Sequence, residues 1–175
     1  MSSEFEPVAA ETRYEGKIFT VREERFRHED GEESTREIVR HTGAVGVVCH
    51  DGASLWLVRQ PREAVGEPDL LEIPAGKLDV EGEEPLATAK RELAEEIGKA
   101  ASEWEHLHTF FTSPGFTDEV CHVYLATGLS DASAETEENE RIDLEVRPLA
   151  ELDAIIDEVQ DSKTLIGLLE LRRRL

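Results

Sequence analysis

Cysteine, positive charge and long apolar runs are all scarce in this sequence, and each scarcity removes a class of function. The two cysteines, Cys49 and Cys121, sit in separate apolar runs with no CxxC or His/Cys ligand spacing nearby. That pattern gives no basis for a disulfide framework or a zinc site and predicts two buried free thiols. No stretch approaches the length of a membrane span, and the opening MSSEFEPVAAETR is acidic where a secretory signal would be basic. A cytoplasmic protein with no membrane association is expected. Lys and Arg number 19 against 40 Asp and Glu, a net charge of −21. Such a field repels nucleic-acid backbones, so no nucleic-acid partner is expected.

What remains is globular in character. Apolar residues make up 39% of 175 residues, and turn signals separate the periodic segments, so the 34% charged content does not imply disorder. This length suits one domain with an appended N-terminal element. Most of the acidic residues are expected to form a solvated surface that keeps the chain soluble.

The first ten or so residues carry no periodicity and are expected to be loose. GKIFTVREERFRH and STREIVRHTGAV, joined by EDGEE, predict a hairpin. AVGVVCH and SLWLVRQ around DGA predict a second hairpin, whose nearly continuous apolar stretch from Val45 to Cys49 suits a buried strand. DLLEIP, WEHLHTFF, EVCHVYLA and DLEVRPL are further strand candidates, and LAELDAIIDEVQ and DSKTLIGLLELRRR read as C-terminal amphipathic helices. Asp161 or Ser162 would cap the second of these, and Arg172 to Arg174 complement its dipole. Residues 132–141, ASAETEENER, read as an acidic loop. Hairpins mixed with helices imply a mixed sheet covered by helices.

The clearest helix runs from Pro85 to Ile97. Proline suits its first position, Leu86, Ala89, Leu93 and Ile97 recur at helical spacing, and Gly98 stops it. Its other side gathers Glu92, Glu95 and Glu96. At about 100° per residue, Glu92 and Glu96 lie roughly 40° apart, with Glu95 roughly 60° to the other side of Glu92. Like charges at this spacing destabilise an exposed helix by about 0.2–0.5 kcal/mol per pair, and Arg91 opposite Glu95 offsets only part of that. A divalent cation reverses the balance, and an all-oxygen site suits magnesium or manganese. A solvated polar face is the alternative reading of these three acids alone. Upstream, LLEIPAGKLDVEGEE adds a strand, a Pro-Ala-Gly bend and an acidic loop ending near Glu83, so backbone carbonyls can approach the same point.

Gly76, Glu83 and RELAEEIG from Arg91 to Gly98 resemble the signature of the Nudix hydrolases, Gly-x5-Glu-x7-Arg-Glu-U-x-Glu-Glu-x-Gly-U, with U aliphatic. Seven residues separate Glu83 from Arg91 as required, whereas six rather than five separate Gly76 from Glu83 and Lys99 fills the last aliphatic slot. The resemblance implies an α+β fold, an α/β/α sandwich whose mixed sheet is flanked by helices, with an N-terminal antiparallel strand element. Residues 1–43 would form that element and contribute to a homodimer, and 44–175 the catalytic domain. It further implies that Glu92 and Glu96, with Glu95 and the Ala75 carbonyl, bind Mg²⁺ or Mn²⁺, that Glu83 supports them, and that Arg91 orients them. Glu95, Glu96 and Arg91 would form the catalytic set, acting on a nucleoside diphosphate linked to another moiety.

LVRQPREAVGEPDLLEIPAGKLD before this signature and FFTSPGFTDEV after it resemble the ADP-ribose pyrophosphatases, with Pro114 lying 16 residues beyond Gly98. The substrate implied is ADP-ribose, cleaved to AMP and ribose 5-phosphate; another nucleoside-diphosphate sugar, NADH, or a non-catalytic nucleotide-sensing role are the alternatives. Pro114 and Gly115 belong to the tripeptide that carries this narrower resemblance, which otherwise reads as an ordinary turn. Phe19 matches an aromatic that stacks on adenine, with core packing as the other reading. Arg36, Arg40 and Arg62 are candidates for phosphate or ribose contacts because a guanidinium fork suits phosphate; each also reads as a surface ion-pair residue. Glu72 is a candidate acceptor for adenine or ribose. The general base is expected from ETEENER, which offers Glu137, Glu138 and Glu140, and Glu138 is the candidate named. His106, His108 and His122 lie in strand-like runs and are expected to be surface histidines.

Overall fold

A computed structural model of the protein describes residues 4–133 and 141–175. Its contacts group the chain into two compact units, residues up to Gly43 with Phe111–Val120, and Ala44–Phe110 with Cys121–Leu175.

The smaller unit is built on a three-stranded antiparallel sheet, β1 (Phe5–Glu15), β2 (Phe19–His28) and β3 (Glu33–His41), with β2 in the middle. The β2–β3 hairpin is the one the sequence predicts. β1 corrects the expectation of a loose N-terminus. Ten of its eleven residues are exposed, so neither face needs apolar side chains and the period-2 signal that reveals a half-buried strand is missing. Phe116 closes the 111–120 segment onto β3, its carbonyl accepting from the Val39 N–H at 2.8 Å.

The larger unit holds a seven-stranded mixed sheet. Along its main path β10 (Asp143–Pro148), β5 (Ser54–Arg62), β4 (Ala44–His50), β9 (Val120–Asp131) and β8 (Lys99–Phe111) are neighbours. β6 (Glu67–Glu72) pairs with β5, and a three-residue strand, β7 (Ala75–Lys77), pairs with β4. β4 runs parallel to β9, Ala44 facing Cys121 through Cys49 facing Ala126. The predicted hairpin of β4 and β5 exists, but only Cys49–Trp56 and His50–Leu55 pair.

Both faces of this sheet are covered, which explains the unbroken apolar run of β4. Val45, Val47 and Cys49 point with Val58 and Tyr124 toward Ala89, Leu93 and Ile97 of α1 (Pro85–Ile97). Val48 points the other way, with Leu57, Ile73 and Val123, toward Leu152 and Ile155 of α2 (Leu152–Glu158) and Leu168 and Leu171 of α3 (Ser162–Arg172). This is the expected helix, sheet and helix layering. α1 has the predicted bounds, and Gly98 ends it in the left-handed region at φ 64°, its N–H reaching the Ala94 and Leu93 carbonyls. Asp161 caps α3 by accepting from the Thr164 N–H. Both cysteines are buried and no disulfide joins them; burial is the first cause that pushes the Cys49 thiol far above its usual range. Among the described residues no helix is long and apolar enough to cross a membrane.

Candidate active site

The carboxylates of the larger unit converge on one guanidinium. Arg91 lies 2.8 Å from Glu92, 2.9 Å from Glu95 and 3.3 Å from Glu83. Burial works against the Arg91 charge, but Glu92, Glu83 and Glu95 outweigh it and raise its pKa further above the usual range. Glu83, just before α1, accepts from Thr88 Oγ1 at 2.8 Å, and this bond, aided by Arg91, holds its carboxyl below the usual range. Arg91 thus contacts three of the acidic residues singled out in the sequence.

β7 brings backbone to the same helix. The Ala75 N–H donates to Glu96 Oε2 at 3.0 Å, and Gly76 lies so close that a Cβ there would overlap the carboxylate carbon of Glu92. A side chain at this position would have to displace the Glu92 carboxylate. Glu92 itself is only 9% exposed, unlike a side chain of a freely solvated polar face. The extra residue between Gly76 and Glu83 lies outside helix and strand, and the helix carries its carboxylates in the expected register.

These donors suit a hard cation, being carboxylate oxygens on α1 with strand backbone against them. Among the described residues no group of three or more His, Cys, Asp and Glu is spaced to hold a metal ion; Arg91 is bound to Glu83, Glu92 and Glu95. A cation held here competes with Arg91 for those oxygens. The donor chemistry and the glycine that makes room for Glu92 both fit a divalent ion.

The remaining predicted residues fall in two places. In the larger unit, Arg62 of β5 grips Glu72 of β6 through two hydrogen bonds, at 2.5 and 2.7 Å. Lys163 of α3 takes the same carboxylate. Glu72 is completely buried, so its acceptors are committed to these two cations. In the smaller unit a cavity of ≈ 380 Å³ is lined by Arg36, Arg40, Pro114 and Gly115 together with Phe5 and Phe26. Arg40 is occupied, bound to both oxygens of Glu24 at 3.0 and 2.7 Å and to Asp118 at 3.0 Å. Arg36 pairs with no carboxylate among the described residues, its guanidinium donating to the Thr35 carbonyl. Phe19 is 40% exposed and meets the Tyr14 ring at 5.9 Å; it does not line the cavity. Glu138, with Glu137 and Glu140, lies outside the described residues.

Sequence reasoning did not find Lys163 or the partners of Arg40. Lys163 lies 91 positions from Glu72, and no spacing rule links residues so far apart. Asp118 had one local signal, its place in the SPGFTDE stretch beside the cavity-lining Pro114 and Gly115.

The NUDIX domain family model matches residues 40–168. An ADP-ribose pyrophosphatase of Mycobacterium tuberculosis is 43% identical over 85% of this chain and 72% of that protein. A methanol dehydrogenase activator of Bacillus methanolicus is 40% identical over 91% of this chain and 88% of its own. An ADP-ribose pyrophosphatase of Bacillus subtilis is 39% identical over 93% and 90%. A crystal structure of an ADP compounds hydrolase superposes with a TM-score of 0.87 at 24% identity, covering 98% of this chain and 94% of that one.

Proposed function

Since the chain belongs to the Nudix family, we propose that it hydrolyses the diphosphate bond of ADP-ribose to AMP and ribose 5-phosphate with Mg²⁺ or Mn²⁺. The observation that carries this reading is the carboxylate centre itself, Glu83, Glu92 and Glu95 on Arg91 with Glu96 on the Ala75 amide. The substrate follows from the two relatives called ADP-ribose pyrophosphatase, each about two-fifths identical over most of this chain.

Glu92, Glu95 and Glu96, with the Ala75 carbonyl, would hold the ion. A divalent ion bound there neutralises diphosphate charge and makes water a better nucleophile. Arg91, bound to Glu83, Glu92 and Glu95, would keep their carboxylates near one another. One water adds across the phosphorus–oxygen bond, its hydroxyl going to one phosphorus and its proton ending on the departing phosphate. Glu138 is proposed as the base that receives the first proton.

Arg36 supports an anion-binding role in the smaller unit, being a cation without a carboxylate partner among the described residues in a chain of net charge −21. Pro114 and Gly115 would shape the same cavity, and Phe19 would stack on the adenine. Arg62 would serve the substrate's ribose side, with the buried Glu72 acting only by holding its guanidinium. The exposed Phe5, Tyr14, Ile18 and Phe19 support a homodimer formed through the N-terminal strands. Buried cysteines that form no disulfide support a cytoplasmic setting, and the acidic field supports a small-molecule partner over nucleic acid.

Incubation of the purified protein with Mg²⁺ and a panel of ADP-ribose, GDP-mannose, NADH and nucleoside triphosphates, with product identification, tests this reading. AMP and ribose 5-phosphate should form fastest from ADP-ribose. Preference for another member replaces the substrate, and no turnover of any member leaves the nucleotide-sensing alternative.

A further inference from the structure

Two residues, Ile73 and Pro74, separate β6 from β7 and belong to neither strand. Ile73 is completely buried, and a buried N–H requires a partner. That partner comes from the far end of the chain, Thr164 Oγ1 accepting at 2.9 Å. Thr164 is also fully buried, and its own hydroxyl donates to Asp161 at 2.6 Å. With its hydrogen committed to Asp161, the oxygen presents a lone pair to Ile73.

The neighbouring residues are held as firmly. Glu72 is taken by Lys163 and Arg62. Pro74 accepts from the Val47 N–H at 2.8 Å, and the Ala75 N–H donates to Glu96. Four consecutive residues are thus fixed, Glu72 by β5 and α3, Ile73 by α3, Pro74 by β4 and Ala75 by α1. Close approach of α3 is secured at Gly167, where a Cβ would come within 2.6 Å of Val48 Cγ2.

We propose that Thr164 and Lys163 are positioning residues for the carboxylate centre, holding Glu72 and Ile73 so that the Ala75 backbone is presented to Glu96. The proposal rests on the reading of that centre as an ion-binding site, and it assigns to the N-terminus of α3 a role beyond closing the core. Outer partners that orient metal ligands typically contribute 10- to 100-fold in affinity or activity, and the chain of bonds from Asp161 through Thr164 to Ile73 is of that kind.

The test compares Thr164→Val, which keeps the shape and removes the acceptor, with Thr164→Ser, which keeps the hydroxyl. Amide exchange is followed by NMR in metal-free protein, Mn²⁺ binding by electron paramagnetic resonance, and kcat and KM with ADP-ribose. In Thr164→Val, exchange at Ala75 should accelerate relative to the core amide of Leu57. Mn²⁺ binding should weaken by about tenfold, and kcat should fall with KM nearly unchanged. Thr164→Ser should restore all three. Wild-type exchange at Ala75 and wild-type Mn²⁺ binding in a folded Thr164→Val protein overturn the proposal. If that variant does not fold, Lys163→Gln is read by the same measurements and judged by the same outcomes. A wild-type protein that neither binds Mn²⁺ nor cleaves ADP-ribose refutes the proposed function, whereas the Ala75 exchange result still decides the positioning claim.

Discussion

At the scale of single residues, the centre on α1 makes each contact testable. Glu96 accepts from the Ala75 amide, and Glu96→Gln keeps a hydrogen-bonding oxygen there while removing the charge. We expect turnover of ADP-ribose to fall by orders of magnitude with the circular dichroism spectrum unchanged; near-wild-type turnover would show that Glu96 is not a ligand. Gly76→Ala attacks the same centre from the strand side. The new methyl would overlap Glu92, whose flexible side chain can move away, so stability should change little while Mn²⁺ binding weakens. A large loss of thermal stability with unaltered Mn²⁺ binding would contradict this. The clustering of the acidic helix residues was legible in the sequence because it depends on spacing within one helix. The commitment of Glu72 to Arg62 and Lys163 was not, because it depends on which distant elements the sheet brings together.

At the scale of elements, legibility followed burial. α1 was readable to its last residue because one apolar stripe meets the core, Pro85 opens it and Gly98 ends it. β1 left no trace because almost all of it is exposed, and β7 is three residues long, too short to display any period. The helix ends yield two predictions. Gly98 sits at φ 64°, and a side chain in that region costs about 1–2 kcal/mol, so Gly98→Ala should lower unfolding free energy by about that amount in urea titration. An unchanged midpoint would mean that the cap relaxes. Asp161 of the α3 cap is the second case. Burial raises its pKa, but the Lys163 charge and the Thr164 hydrogen bonds outweigh that and leave it below the ordinary 3.8. The unfolded chain therefore binds this proton more readily. The stabilisation is complete above pH 3.8 and is lost as pH falls through the lower folded value. Asp161→Asn should be less stable than wild type at neutral pH, and the difference should shrink on acidification; a difference that stays constant down to the acid transition would exclude the carboxylate as its origin.

At the scale of the whole molecule, the net charge of −21 acts on everything at once. Ion pairs such as Arg59 with Glu145 and Glu158, and Arg147 with Glu151 and Glu158, neutralise it locally, yet acidic residues outnumber basic ones about two to one. Self-repulsion opposes the compact state and is screened over about 10 Å at 0.1 M salt. The thermal midpoint should therefore rise as NaCl is increased from low ionic strength, and a fall would show that the ion pairs outweigh the net repulsion. The parallel contact of β4 with β9 joins Ala44 to Cys121 and Cys49 to Ala126, with β5 through β8 lying between them in the chain. During synthesis the first of these strands must wait, bare along one edge, until the ribosome has released the second. Chaperone dependence and aggregation on refolding should accordingly concentrate in that interval.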